Sequence, residues 1–293
     1  MPSWQGKSKG KPWGYRIFVS VLKIGGIIPA YVLLWFVTFY YFLFSYQSTK
    51  SIFTYFHKRH GYGVIRSLFS VYRNYNLLGQ SLIDKVVIMS GIPNKFTFHF
   101  DGIHNLEEIA ALKKGGLLLS SHIGNWETAG HLLNTISERI NIVVFDGENE
   151  GIKEYLESVT GKIGVKLIII KDDMSHIFQI NEALSNNELV CMHADRFVEG
   201  AKTVTVKFLG ADAKFPLGPF ILASRFRVPV SFVFAMKEST FHYHFFATEI
   251  KDYLHLDKDI MVQQMLTDFV SYMEEKVKKY PGQWYNYYDF WHL

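Results

Sequence analysis

Apolar and polar positions divide the chain into two regimes. From Ile24 to Ser45, 22 consecutive residues carry no charge (IGGIIPAYVLLWFVTFYYFLFS). As one helix this segment would be about 33 Å long, near the thickness of a bilayer core. It is apolar all round, which disfavours an ordinary core helix. It is also too long and too aromatic for the apolar region of a cleaved signal peptide. Pro29 stands near its start, where a kink is expected. Residues 1–60 therefore read as a membrane-anchoring segment and residues 61–293 as one further domain.

Beyond residue 60 the pattern changes to short apolar runs alternating with helical spacing. Residues 62–90 read as a helix, with Val64, Ile65, Leu68 and Phe69 at helical intervals and a stop at Gly91-Ile92-Pro93. Strands are expected at Phe96–Phe100, Gly116–Ser121, Ile140–Phe145, Val165–Ile170, Leu189–His193, Val204–Phe208, Val230–Phe234 and Tyr243–Ile250. Helices are expected at Asn105–Lys113, Asn125–Ser137, Ile152–Thr160, Ser175–Asn186, Gly218–Phe226 and Asp257–Tyr280. Continuous apolar strands separated by helices predict an α/β fold with a mixed, mostly parallel sheet flanked by helices. Sites in such sheets form at the carboxyl ends of strands. Two polar clusters fall there: His122 after Gly116–Ser121, and Asp195-Arg196 after Leu189–His193.

Composition narrows the picture. With 25 Phe and 17 Tyr in 293 residues, the chain suits contact with lipid or a long apolar ligand. The single cysteine, Cys191, excludes an internal disulfide framework and a cysteine-rich zinc site. A net charge of +4 without dense Lys/Arg clusters or a nucleic-acid motif gives no expectation of a nucleic-acid partner. Positive charge flanks the apolar segment on both sides, at Lys7, Lys9, Lys11, Arg16 and Lys23 and again at Lys50, Lys58, Arg59 and Arg66. Orientation, and the choice between spanning and lying flat, stay open.

The densest candidate chemistry is Ser121-His122-Ile123-Gly124-Asn125-Trp126-Glu127. On one continuous helix His122 and Glu127 would face about 140° apart. They meet only if His122 precedes the helix and Gly124 turns the chain back. A carboxylate would then fix the imidazole tautomer and leave the other nitrogen to take a proton. In the first helical turn Glu127 would equally serve the helix dipole. There is no Gly-x-Ser-x-Gly elbow. Cys191 lies mid-strand, and one histidine with one carboxylate is too small a set for a metal. Neither a metal nor another cofactor is expected. The simplest reaction is direct attack of a hydroxyl or amine, deprotonated by His122, on an activated acyl group. His99, His104, His176, His193, His242 and His244 carry no motif and read as structural. The aromatics at Trp284–Trp291 read as core, as the lining of an acyl site or as a surface resting on the membrane.

The segment SHIGNWE, with its His-x4-acidic pattern, resembles the signature of the lysophospholipid acyltransferase superfamily. Its extended form is similar to the branch that includes lipid A biosynthesis lauroyl/myristoyl acyltransferases. Ala194-Asp195-Arg196, Val206–Gly210 and Phe215-Pro216-Leu217-Gly218-Pro219 resemble further stretches of that branch in the same order. Pro281-Gly282-Gln283-Trp284-Tyr285 resembles its closing segment. With the amino-terminal helix, the resemblance covers nearly the whole chain.

The resemblance implies a glycerolipid-acyltransferase-like domain. In it His122 is the general base, Glu127 its supporting carboxylate or an arginine anchor, and Asp195 and Arg196 line the site. Arg196 has the cationic fork to meet an oxyanion or a phosphate. Asn125 and Trp126 shape the loop, and with Glu148, Gly218 and Pro219 they are expected on the substrate side. The stretch Val144–Glu150 is acidic where relatives are often rich in arginine. The acceptor is therefore open among a lipid A precursor, a lysophospholipid, an aminolipid and a pigment lipid.

The implied reaction moves a fatty acyl group from acyl-carrier protein or acyl-CoA to a lipid hydroxyl or amine. The implied place is the cytoplasmic face of a bacterial inner membrane. A lipid hydrolase using water as acceptor and a non-catalytic membrane-anchored lipid-binding protein are the alternatives.

Overall fold

The computed structural model describes residues 12–125, 128, 139–145, 166–171, 173–197, 200–251, 253 and 255–291. The expected helix Asn125–Ser137, except residues 125 and 128, the expected helix Ile152–Thr160, Val165 and the acidic residues 146–150 lie outside these.

The amino-terminal apolar segment is two helices where the sequence suggests one. Helix α1 spans Pro12–Gly25 and α2 spans Ile27–Phe44. The break falls at Gly26, whose φ of 77° favours glycine. Pro29, the expected kink, sits instead in the first turn of α2, where its missing N–H costs nothing. Helix α3 (Tyr46–Thr54) leads into the long α4 (Val64–Met89).

Strand β1 (Thr97–Asp101) and helix α5 (Ile103–Ala111) follow, then β2 (Gly116–Ser120), β3 (Ile140–Phe145) and β4 (Lys166–Ile170). Helix α6 (Ser175–Ser185) and β5 (Leu189–His193) precede an antiparallel ribbon, β6 (Thr203–Phe208) with β7 (Ala211–Pro216). Helix α7 (Gly218–Phe226), β8 (Val230–Ser239), β9 (His242–Ala247), α8 (Lys258–Lys279) and a 3-10 turn at Pro281–Gln283 complete the described chain.

Among the described residues, seven strands form one sheet in the order β1-β9-β8-β2-β5-β3-β4. Every neighbouring pair is parallel except β8 with β9, which makes the expected mixed, mostly parallel sheet. The run at Val204–Phe208 belongs to the separate ribbon and not to this sheet. Its partner strand β7 does alternate, Ala211, Ala213 and Phe215 against Asp212 and Lys214, but it is short and two of its three apolar positions are alanine, a weak strand former.

The core explains why the strands read as unbroken apolar runs. Leu117 and Leu119 enter a large cluster with α6, α7 and α8, whereas Leu118 faces α5 on the opposite side. A further cluster joins Val19, Leu22, Ala30, Tyr31 and Leu34 of the first two helices to Val86 and Val87 of α4 and to Tyr243 and Phe245 of β9. Helix α2 thus packs one side on the protein. Its other side, with Ile28, Val32, Trp35, Phe36, Phe39 and Leu43, is exposed. Val64, Ile65, Leu68 and Phe69 of α4 are exposed as well, so the stripe that signals the helix faces outward.

Candidate active site

Strands β2 and β5 lie side by side in parallel, with Ser120 opposite His193. Both therefore end at one edge of the sheet and deliver His122 and Asp195 to the same place. Asp195 is 1% exposed and accepts twice from His122, from the backbone N–H at 3.1 Å and from Nδ1 at 2.8 Å. Burial pushes the Asp195 carboxyl up. The charge and hydrogen bond of His122, with Arg196 and His193 beside it, outweigh this and hold it well below the usual carboxylate range. Asp195 is thus a fixed anion, and it selects the His122 tautomer with hydrogen on Nδ1 and the lone pair on Nε2. The sequence reading assigns this carboxylate role to Glu127, which lies outside the described residues with Trp126 and Glu148.

His193, read from sequence as structural, belongs to the site. Its ring stacks on His122 with centroids 4.0 Å apart and an interplanar angle of 27°. Burial first, then the charge of His122, keeps its pKa well below the ordinary value, so it is neutral. The signal available in the sequence is its place as the last residue of β5, two before Asp195, at the end where sites form.

The loop carrying His122 is clamped from both sides. Gly124 donates to Gln283 O at 2.9 Å, Asn125 N to Ala235 O at 2.8 Å, and Tyr285 N to His122 O at 3.0 Å. Gly124 has φ +67°, and a Cβ there would lie 1.9 Å from Ala235 O. The turn the sequence asks for is present, and only glycine fits it. Asn125 is buried and donates its amide to Ser81 O at 3.0 Å and to the Tyr243 hydroxyl at 3.3 Å. These bonds tie the loop to α4 and β9 and turn the side chain inward.

The closing Pro281–Tyr285 segment now has a physical role. The Gln283 side chain brackets Lys237, accepting from its N–H at 2.8 Å and donating to its carbonyl at 2.7 Å. Arg196 donates to Tyr285 O, so its fork is anchored to the same segment. Trp284 and Phe290 are buried against Phe208, which makes this part of the aromatic tail core.

Behind the loop lies a buried charged cluster. Asp84 accepts from the Tyr31 and Tyr243 hydroxyls and from Lys237 Nζ. Burial drives Asp84 up and Lys237 down, and their pairing opposes both shifts. Through Tyr243 and Asn125 this cluster connects α2 to the His122 loop.

Ser120 and Cys191 are poorly suited to act as nucleophiles. Ser120 donates to Val233 O at 2.8 Å. Burial pushes the Cys191 thiol up to about 12, the opposite of an activated nucleophile. Gly218 and Pro219 form the first turn of α7, where a Cβ on Gly218 would enter open space. An apolar cleft runs along β2 on the face of Leu118 and Ser120, lined also by Leu106, Ile142, Cys191 and Val233.

Fold and site define an α/β protein with a carboxylate–imidazole pair at the carboxyl edge of a mostly parallel sheet. The family model for bacterial lipid A biosynthesis acyltransferases matches residues 79–291, and the chain belongs to that family. It is an acyltransferase of lipid biosynthesis. Among solved structures, the 1-acyl-sn-glycerophosphate (LPA) acyltransferase PlsC from Thermotoga maritima is similar over 84% of this chain and 95% of that one. The identity is 13% and the TM-score 0.39. No curated protein matches the chain in sequence.

Proposed function

We propose that the protein transfers a fatty acyl group from a thioester, acyl-carrier protein or acyl-CoA, to a lipid hydroxyl or amine, with His122 as general base. The observation that carries this is the buried Asp195 carboxylate on Nδ1 of His122, 2.8 Å away, beside a side chain that is 24% exposed. In this tautomer Nε2 takes the acceptor proton as the acceptor oxygen or nitrogen attacks the thioester carbonyl. The tetrahedral oxyanion collapses, the C–S bond breaks, and the imidazolium returns the proton to the leaving thiolate. Asp195 stabilises the transient imidazolium. Arg196 supplies positive charge for the oxyanion or for an acceptor phosphate. Glu127, Trp126, Glu148, Gly218 and Pro219 keep the supporting and substrate-side roles that the family resemblance implies.

The exposed apolar side of α2 and the first turns of α4 are proposed to rest in the cytoplasmic leaflet of the inner membrane, where lipid acceptor and soluble donor meet. The 18 residues of α2 would be about 27 Å long. The proposed transfer needs a hydrocarbon groove for the acyl chain. Each buried methylene contributes roughly 0.8 kcal/mol, enough to make chain length selectable.

The test is reconstitution in vesicles with a labelled acyl thioester and a lysolipid. Wild type is expected to form acylated lipid and His122→Ala to form none. Undiminished transfer by His122→Ala would sink the base assignment, and free fatty acid as the sole product would favour a hydrolase.

A further inference from the structure

On β1, His99 and Asp101 alternate with Phe98 and Phe100. Strand periodicity therefore puts the polar pair on one face and the aromatics, which pack against buried residues, on the other. On β9, His242 and His244 alternate with Tyr243 and Phe245 in the same way. The parallel register sets His99 beside His244.

Two imidazoles thus converge on one carboxylate. His99 Nε2 lies 3.1 Å from Asp101 Oδ1, and His244 Nε2 lies 2.8 Å from Asp101 Oδ2. One ligand atom from each of the three residues can be chosen so that all lie within 4.8 Å of one another. Ligands about 2.0–2.1 Å from a tetrahedral zinc ion sit about 3.3 Å apart, so small side-chain rotations bring the three to ligating distance.

The far side of His244 is built as well. Its Nδ1 is 3.2 Å from Glu238 Oε1, and Glu238 also accepts from the Tyr280 hydroxyl. A carboxylate on the remote nitrogen is the arrangement that orients a metal-ligating histidine. With an ion bound, it would hold hydrogen on Nδ1 and leave the Nε2 lone pair to the metal; without one, Nε2 donates to Asp101. Ordinary ion pairing at an exposed strand needs neither the convergence of two Nε2 atoms on one carboxylate nor the brace behind one of them.

We propose that His99, Asp101 and His244 bind one divalent transition-metal ion of the zinc class, with water completing the coordination and Glu238 and Tyr280 bracing His244. Two nitrogens and one oxygen suit zinc better than magnesium or calcium. Among the described strands β1 stands at the edge of the sheet beside β9, so the ion clips the edge strand to its neighbour.

The test is zinc titration of the untagged full chain by calorimetry, with cobalt absorption as a readout of tetrahedral geometry. It is run in a His122→Ala background, because His122, His193 and Asp195 form a second group with metal-binding geometry. One equivalent of zinc is expected, with a thermal midpoint that rises with zinc concentration. His99→Ala, His244→Ala and the near-isosteric Asp101→Asn are each expected to lose the stoichiometric binding and the thermal shift. Glu238→Gln is expected to weaken binding about 10–100-fold. Zinc affinity unchanged across the three ligand variants, or no binding at millimolar zinc, overturns the proposal.

Discussion

Replacing Asp195 with asparagine changes one oxygen for an amide nitrogen and almost nothing in volume. The consequence follows from the two bonds Asp195 accepts from His122, 3.1 Å from the backbone N–H and 2.8 Å from Nδ1. If the amide oxygen stays on the backbone N–H, the amide NH2 faces Nδ1 and donates to it. That selects the tautomer with hydrogen on Nε2, which cannot act as a base. If the amide flips, two donors meet at the backbone N–H, and a buried unsatisfied donor costs about 1–3 kcal/mol. Either way the negative charge under the imidazolium is gone. At about 4 Å between charge centres and an effective dielectric of about 20, that charge is worth roughly 4 kcal/mol, or about a thousandfold in rate. The same exchange in the serine-protease triad lowers kcat about 10⁴-fold. Asp195→Asn is therefore expected to lower kcat for acyl transfer about 10³- to 10⁴-fold. The acid limb of the pH–rate profile should move to lower pH, because an unsupported imidazole protonates less readily. The assay is formation of acylated lipid from a labelled thioester across pH, with thermal unfolding as the folding control. A well-folded Asp195→Asn enzyme within about tenfold of wild type, beside an inactive His122→Ala, would falsify the assignment of Asp195 as the orienting carboxylate.

Other expectations follow from the clamp and the buried cluster. Gly124→Ala places a Cβ against Ala235 O in a left-handed backbone that costs about 1–2 kcal/mol. It should lower both the thermal midpoint and kcat, the latter about 100-fold if His122 is displaced by about 1 Å; wild-type kcat would contradict the clamp. Lys237→Met leaves Asp84 buried without its cation and is expected to cost about 3–5 kcal/mol in urea unfolding. Asp84→Asn with Lys237→Met should recover part of that loss, and strict additivity of the two single changes would refute the coupling. His193 is held neutral below its ordinary pKa, so the unfolded chain binds the extra proton as pH falls through about 6.5. Stability is therefore full above that value and declines toward the lower folded-state pKa. His193→Gln should flatten the decline between about pH 6.5 and pH 5 in denaturant titrations, and an unchanged slope would show that another group causes it.

Much of the architecture is legible in the chain itself because burial writes a local pattern. Strands buried on both faces read as unbroken apolar runs at β2, β3 and β5, and helical spacing marks α4, α6 and α8. The glycine turn at Gly124 is legible too, because a left-handed residue there is expected to be glycine. The break at Gly26 is less so, because a glycine inside an apolar run signals only a possibility until its φ is fixed. The ribbon strand β7 escapes because its alternation rests mainly on two alanines, weak strand formers, and ends at Pro216, and its pairing with β6 is a local hairpin event rather than a burial signal.

What the sequence alone determines about this protein is the class of chemistry and the place it occurs. SHIGNWE at one strand end and Ala194-Asp195-Arg196 at another mark the proposed catalytic edge of a mostly parallel sheet. What only the tertiary structure decides is who partners whom. Asp195, 73 residues from His122, accepts from its Nδ1 because β2 and β5 are neighbours in parallel register. His193 joins the site for the same reason, and Gln283 and Tyr285 reach it from the far end of the chain. Asp84, Lys237, Tyr31 and Tyr243 come from four separate elements to one buried cluster. Spacing along the chain carries geometry only within an element, whereas strand order and register, set by the packing of the whole core, bring distant residues together.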